Sequence, residues 1–221
     1  MKFLLFMLFG SLEIVSLFAL MLTMFRIPVR EYFKEILIIA VSVSFVSFII
    51  RVYLEINPLL DIVIHLIIYM VFFRYVIKTR YWRAFLISLM YIGYGVINIL
   101  VYLAYAKLHV VTPSVLDDPN SSYAYLIQAT TAFISLLIAL FVYRFNLGFS
   151  FVPLPPHDFW ISSAPKKHDT LILILVFVAL IGLLITFYFI FHYESLISIP
   201  LFILVFITIL ILAYRRDIAN G

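Results

Sequence analysis

The sequence predicts an all-α membrane protein, a single bundle of seven transmembrane helices, and three observations lead to this prediction. Hydrophobic residues make up 66% of the 221 residues and charged residues 12%, against about 45–50% and about 25% in a soluble domain. The mean hydropathy is +1.20. Seven apolar stretches reach about 20 residues, which is the length that crosses the hydrocarbon core of a bilayer.

Short segments rich in helix-breaking residues separate the seven predicted spans. Asn57-Pro58 follows the second span, Lys78-Thr79-Arg80 follows the third, and four prolines follow the fifth. The predicted spans are Phe3–Phe25, Glu35–Ile56, Pro58–Ile77, Ala84–Ala106, Tyr125–Tyr143, Leu171–Ile190 and Leu196–Tyr214. Because no connection between them is long enough to fold alone, residues 1–221 are predicted to form one transmembrane domain.

The distribution of lysine and arginine predicts the direction of insertion. Twelve of the 15 basic residues fall in one set of alternate loops, and only Lys2, Arg51 and Lys107 fall in the other. Because cytoplasmic loops carry the excess of Lys and Arg, we expect the N-terminus outside and the C-terminus in the cytoplasm. Met1-Lys2 and the apolar run after it resemble a signal peptide, but Glu13 interrupts the run, and we interpret it as a retained first span.

Several chemistries lack their sequence signals. Cysteine is absent, which excludes disulfides, thiolate metal sites and cysteine nucleophiles. The sequence has no His-Glu-x-x-His string, no Gly-x-Ser-x-Gly elbow and no glycine-rich phosphate-binding loop. It therefore predicts no enzyme activity, no cofactor and no metal site. No basic run is long enough to indicate nucleic-acid binding.

Polar residues within the spans are the candidate site. Ionisable groups in a membrane are costly and mark functional positions by default. Asp61 and His65 are spaced i, i+4 in the third span and share a helix face. With the direction of insertion fixed, further polar residues fall in the outer half of the membrane: Arg51, Glu55, Asn98, Tyr102, Tyr105 and Gln128. We predict that they form a ligand-binding cavity. In the alternative interpretation they bond one another and hold the helices together, with Arg51 neutralising Glu55 or Asp61.

The intramembrane carboxylate of Glu13 is the deepest polar group, about 15 Å from the surface at 1.5 Å per residue. We interpret it as a separate structural group that bonds to a neighbouring helix, with Ser42, Ser44 and Ser47 of the second span as candidates. A proton relay would need a chain of titratable partners, which the sequence alone does not indicate.

Two short strings resemble stretches of a known family: Phe25-Arg26-Ile27-Pro28-Val29-Arg30 and Gly148-Phe149-Ser150-Phe151-Val152-Pro153. With the predicted topology, they resemble the membrane sensor region of accessory-gene-regulator-type quorum-sensing histidine kinases of Gram-positive bacteria. The resemblance implies a bacterial sensor. Those kinases continue into a dimerising helix with a phospho-accepting histidine and an ATP-binding domain, whereas this sequence stops at Gly221, so phosphotransfer is not carried over.

The leading functional hypothesis is a kinase-less sensor or regulatory module, multi-pass in the cell membrane. It would bind an external peptide or lipid-like ligand in the outer-half cavity and signal to a membrane or cytoplasmic protein partner. The alternatives are a small permease or transporter subunit and a structural subunit of a larger membrane complex. A solute path would need polar residues in the inner half of the membrane, where the spans are almost uniformly Leu, Ile, Val and Phe.

Overall fold

A computed structural model of the chain describes residues 2–54, 58–111 and 121–149, together with nine single positions between 170 and 211. All the regular structure of these residues is helical. The helices are α1 (Lys2–Met24), α2 (Phe33–Phe48, continued by a π-helical turn at Ile49–Tyr53), α3 (Pro58–Tyr75), α4 (Tyr81–Ser88), α5 (Met90–Lys107) and α6 (Ser122–Arg144).

Four helical segments are long and apolar enough to cross a membrane: Phe3–Met24, Phe33–Tyr53, Tyr81–Lys107 and Ser122–Arg144. They coincide with the first, second, fourth and fifth predicted spans, and α3 occupies the third. The nine single positions in and beside predicted spans six and seven, among them Ile174 and Ile207, are helical. The rest of Leu171–Ile190 and Leu196–Tyr214 lies outside the described residues.

The fourth predicted span, Ala84–Ala106, differs from the structure in two ways. The helix in the structure begins earlier, and it is interrupted. Helix α4 begins at Tyr81, and Leu89 separates it from α5. The Ser88 hydroxyl donates to Ala84 O at 2.7 Å, a back-bond that bends helices. The apolar run gives no sign of this break, since Leu89 is itself a good helix former.

Helix α1 is the central element of the described bundle and packs along both α2 and α6. Its Phe18 is completely buried, and its ring lies 5.3 Å from the ring of Tyr69 and 4.8 Å from that of Phe72 on α3. Large apolar side chains point outward elsewhere, such as Leu4 at 70% and Ile38 at 69% exposure. A buried aromatic core inside an apolar outer surface fits a bundle whose solvent is lipid.

Three of these helices end in the same way, with one residue in the left-handed region. Arg26, His109 and Asn146 have φ of 55°, 56° and 51°. The next residue in each case donates its N–H to the carbonyl five positions back, as Ile27 does to Leu22 O at 2.9 Å. This is the Schellman geometry, which usually places glycine at the left-handed position. Helices α1, α5 and α6 therefore end without the glycine that would signal their termination.

Candidate functional site

One face of α3 carries the predicted pair and one further residue. Asp61 and His65 are 1% and 6% exposed and lie on the same face, as their spacing predicts. Tyr69, four residues further along, is 1% exposed, and its ring lies 5.9 Å from the His65 ring. The sequence prediction missed Tyr69, although continuing the same i, i+4 spacing by one turn would have found it.

Asp61 is the centre of the polar contacts. Its Oδ2 lies 2.7 Å from Arg51 Nε and accepts a hydrogen bond from the Ser47 hydroxyl at 3.2 Å. His65 Nδ1 lies 2.7 Å from the backbone oxygen of Asp61 and 3.3 Å from Oδ1. One of the two predicted partners of Arg51 is therefore confirmed. The other, Glu55, lies outside the described residues.

The π-helical turn places Arg51 against Asp61. In this turn Leu54 N–H donates to Ile49 O at 2.8 Å, an i to i+5 bond that adds one residue to the turn. Such a turn changes the direction of the side chains after it and is often found at functional sites. The Arg51 side chain consequently reaches Asp61 on α3, and it is 30% exposed.

Glu13 belongs to the same site, which corrects the interpretation of it as a separate group. A cavity of about 50 Å³ lies between α1, α2, α3, α5 and α6, and Glu13, Asp61, His65 and Arg51 all line it. Its other lining residues are Phe6, Gly10, Ile14, Leu17, Ser44, Ser47, Tyr69, Tyr91 and Gln128. Because Glu13 is the middle residue of the 23-residue α1, the polar cavity extends from one half of the bundle to its centre.

A close approach of α1 and α2 explains how Glu13 reaches the cavity. A Cβ placed on Gly10 would overlap Ser44 Oγ and would lie 3.4 Å from Ser44 Cβ, so glycine lets the two helices pack this closely without moving the Ser44 hydroxyl. Ser44 and Ser47, two of the predicted partners of Glu13, line the cavity with it, but their hydroxyls donate to Met7 O at 3.4 Å and to Asp61 Oδ2 at 3.2 Å. The third, Ser42, was a wrong prediction, since its hydroxyl donates to Ile38 O within its own helix at 2.8 Å.

The remaining predicted residues divide between the cavity and the α5–α6 interface. Gln128 lines the cavity. Asn98 donates to the Thr131 hydroxyl at 3.4 Å, and the Tyr105 hydroxyl lies 2.8 Å from that of Thr130. Tyr102 packs with Tyr105 against a small apolar cluster. Asn98, Tyr102 and Tyr105 thus hold two helices together and are not brought to the Asp61 site.

The Tyr105–Thr130 contact gives a testable prediction. Hydrogen bonds between membrane helices contribute about 0.6 kcal/mol on average. We expect Tyr105→Phe, Thr130→Val and their combination to give a coupling free energy of about that size in a double-mutant cycle. The measurement is the free energy of unfolding in mixed micelles. Additive effects of the two substitutions would contradict the contact.

A second set of contacts joins α1 to the segment after α6, and we call it the α1–α6 junction. The Arg26 guanidinium donates to Gly148 O and, at 3.0 Å, to Asn146 O. Phe149 N–H donates to Met24 O at 2.6 Å. Gly148 is required here, because a Cβ on it would lie 2.5 Å from Thr23 O. The junction is formed by the beginnings of the two strings that carry the family resemblance.

The comparisons with known proteins add no relative. No protein-family model, curated protein or solved structure matches the chain. Among residues 2–54, 58–111 and 121–149, no three His, Asp or Glu side chains are placed to hold a metal ion. The cavity and the α1–α6 junction are therefore the features of the chain that indicate a function.

Proposed function

We propose that the chain is a membrane sensor or regulatory module in which α1 connects a ligand-binding cavity to a signalling segment. The observation that carries the proposal is the position of α1. Its middle residue, Glu13, lines the cavity, and its last residue, Met24, accepts the Phe149 N–H. The two points are about 16 Å apart along one continuous helix at 1.5 Å per residue.

A change in the cavity would thus reach the opposite end of the bundle through a rigid element. A ligand that pulls Glu13 toward or away from Asp61 shifts or tilts α1, and the shift acts on the α1–α6 junction. Small helix displacements of this kind, about 1–2 Å, are a common way to transmit a binding event. The junction leads directly into the segment from Ser150 onward, which the distribution of basic residues predicts to be cytoplasmic.

The size of the cavity limits the ligand. Sites for drug-sized molecules enclose about 300–1,000 Å³, whereas this cavity measures about 50 Å³. The peptide or lipid-like ligand expected from the sequence does not fit such a volume. A small ligand, with access from the predicted outer side, fits both the volume and the charged lining.

The test compares cavity variants with wild type in membranes of the source cells. Asp61→Asn and His65→Ala remove the central contacts, and Leu147→Ala changes an exposed side chain as a control. A tagged chain is captured in mild detergent, and its partners are identified by mass spectrometry. We expect a signalling protein, such as a histidine kinase or response regulator, whose recovery or phosphorylation changes in both cavity variants and not in the control.

Two results would contradict the sensor proposal. One is a set of variants that all behave as wild type toward the captured partner. The other is capture of transport ATPase or permease subunits. In the second case the chain would be a permease or transporter subunit.

A small permease or transporter subunit is the second candidate, and the position of Glu13 favours it. The sequence argued against transport because the polar residues stop in the outer half of the membrane, but the cavity reaches the middle of α1. Reconstitution in liposomes distinguishes the two functions. A flux of cations or protons that Glu13→Gln abolishes supports a permease. Liposomes that contain the wild-type chain and show no flux support the sensor.

A further inference from the structure

The charges around the cavity do not balance. Glu13 and Asp61 contribute two carboxylates, and Arg51 is the one guanidinium among the described lining residues. Arg51 already forms an ion pair with Asp61, with 2.7 Å between Arg51 Nε and Asp61 Oδ2. With both carboxylates ionised and His65 neutral, one negative charge is left inside a helix bundle with an apolar outer surface. An uncompensated charge at that depth is costly and calls for a counter-charge.

Two buried oxygen atoms of cavity-lining residues also lack hydrogen-bond partners among the described residues. They are Asp61 Oδ1 and Gln128 Oε1, both inaccessible to solvent. His65 Nδ1 is 3.3 Å from Oδ1, but its shorter contact is with the Asp61 backbone oxygen. Buried oxygens without donors normally accept from water or bind a cation.

The cavity has the volume for such a ligand. About 10–15 Å³ of space holds one water molecule, so about 50 Å³ accommodates a small ion with one or two waters. Carboxylate, amide and hydroxyl oxygens are the ligands that hard cations prefer. Glu13, Ser44, Ser47, Asp61 and Gln128 supply all three kinds.

We propose that the cavity binds a single monovalent cation, a proton or a sodium ion, between Glu13 and the Arg51–Asp61 pair. This inference rests on the proposed function and identifies its ligand by chemical class. A proton would neutralise Glu13, whereas sodium would sit among the unpaired oxygens. In both cases one positive charge removes the imbalance, and Glu13 is the residue whose surroundings change.

Other titratable groups surround Glu13 and must be separated from it in any pH experiment. They are Arg51 at the end of α2, Asp61, His65 and Tyr69 on α3, and Tyr91 and Tyr94 on α5. His65 is the group that ordinarily titrates nearest neutral pH. A pH response that persists in Glu13→Gln would therefore come from His65, and it would count against the proposal.

The experiment measures thermal unfolding of the purified full chain in lipid nanodiscs. Sodium is varied against N-methylglucamine at constant ionic strength, and pH is varied separately. Glu13→Gln is the test variant, and Glu31→Gln, an exposed carboxylate outside the cavity, is the matched control. A cation that binds only the folded protein stabilises it in proportion to the logarithm of its concentration.

A proton ligand would raise the unfolding temperature as the pH falls, with no effect of sodium. The unfolding equilibrium constant would change up to tenfold per pH unit, since one proton is taken up. A sodium ligand would raise the unfolding temperature with sodium at constant pH. In either case the response should disappear in Glu13→Gln and remain in Glu31→Gln. Equal responses of wild type and Glu13→Gln, or no response of wild type, would overturn the proposal.

An infrared measurement on the wild type keeps the test decisive if Glu13→Gln does not fold. A protonated carboxyl group has a C=O stretch separate from the carboxylate bands, and a bound sodium ion shifts those bands. At neutral pH, where exposed carboxyl groups are ionised, we expect either the band of one protonated carboxyl group or a sodium-dependent shift of one carboxylate, and a spectrum with neither would contradict cation binding. Neither measurement involves a partner protein, so a failed partner capture and a failed cation titration are separate results.

Discussion

Asp61→Asn is expected to lower the free energy of unfolding by about 3 kcal/mol, the low end of the range for breaking a buried ion pair. The substitution keeps the size of the side chain but removes the charge that faces Arg51 at 2.7 Å. The guanidinium then loses the carboxylate that it contacts directly, in a site that is largely shielded from solvent, and Glu13 elsewhere in the cavity is the remaining counter-charge. The measurement is reversible unfolding in mixed micelles, which gives the free energy directly.

A double variant separates the lost charge pair from other effects of the asparagine. Arg51→Met on the Asp61→Asn background removes the unpaired charge, and replacing both partners of a buried pair is often close to neutral. We therefore expect the double variant to recover most of the lost stability. Glu31→Gln, on an exposed carboxylate, should stay within about 0.5 kcal/mol of wild type. A double variant as unstable as Asp61→Asn would mean that the charge pair is not the cause.

Gly148→Ala is expected to destabilise the protein by about 3 kcal/mol, the upper end of the range for overpacking a tightly packed position. The added methyl group would lie 2.5 Å from Thr23 O and 2.9 Å from Arg26 Cγ. The carbonyl of Thr23 is part of the helix backbone and cannot move aside cheaply. The α1–α6 junction must open, and the free energy of unfolding reports the cost.

The control for this variant lies one residue away. Leu147 is 57% exposed, and Leu147→Ala should change the free energy of unfolding by no more than about 0.5 kcal/mol. The sensor proposal adds a second expectation for Gly148→Ala. The variant should uncouple the partner from the cavity at temperatures where the protein is still folded. Wild-type stability of Gly148→Ala would show that the junction is not packed as described.

Composition and the length of the apolar runs predicted the helical class and the positions of the first five spans, the fourth of which the structure divides into α4 and α5. A run of about 20 apolar residues has one favourable structure in lipid, because every backbone N–H and C=O must be satisfied within the segment. The Asp61–His65 face was also predictable, since i, i+4 spacing fixes it locally. The same reasoning found Arg51 as a partner of Asp61, because a buried carboxylate requires a cation nearby.

The role of Glu13 could not be predicted from local spacing. Its place in the cavity depends on the close approach at Gly10, where α1 and α2 pack side by side, and on the side of α1 that faces α3. These are contacts between residues distant in the sequence. Likewise, Asn98 and Tyr105 lie on α5 with Tyr91, which lines the cavity, but α6 lies opposite them and takes their hydrogen bonds. Only the packing of the helices decides which polar residues share a site.

Cysteine cross-linking of α1 to α2 shows whether α1 packs on α2 closely enough to bring Glu13 into the cavity with Asp61, the contact on which the proposed function depends. The chain has no cysteine, so introduced pairs can be interpreted without background. Gly10 and Ser44 both line the cavity, and their Cβ atoms would be 3.4 Å apart, close to the range of about 3.5–4.5 Å found in disulfides.

Gly10→Cys with Ser44→Cys should form a disulfide on mild oxidation in native membranes. Leu12→Cys with Ser44→Cys should not, because Leu12 is about 200° around α1 from Gly10. A cross-link in the Leu12 pair and none in the Gly10 pair would contradict the cavity.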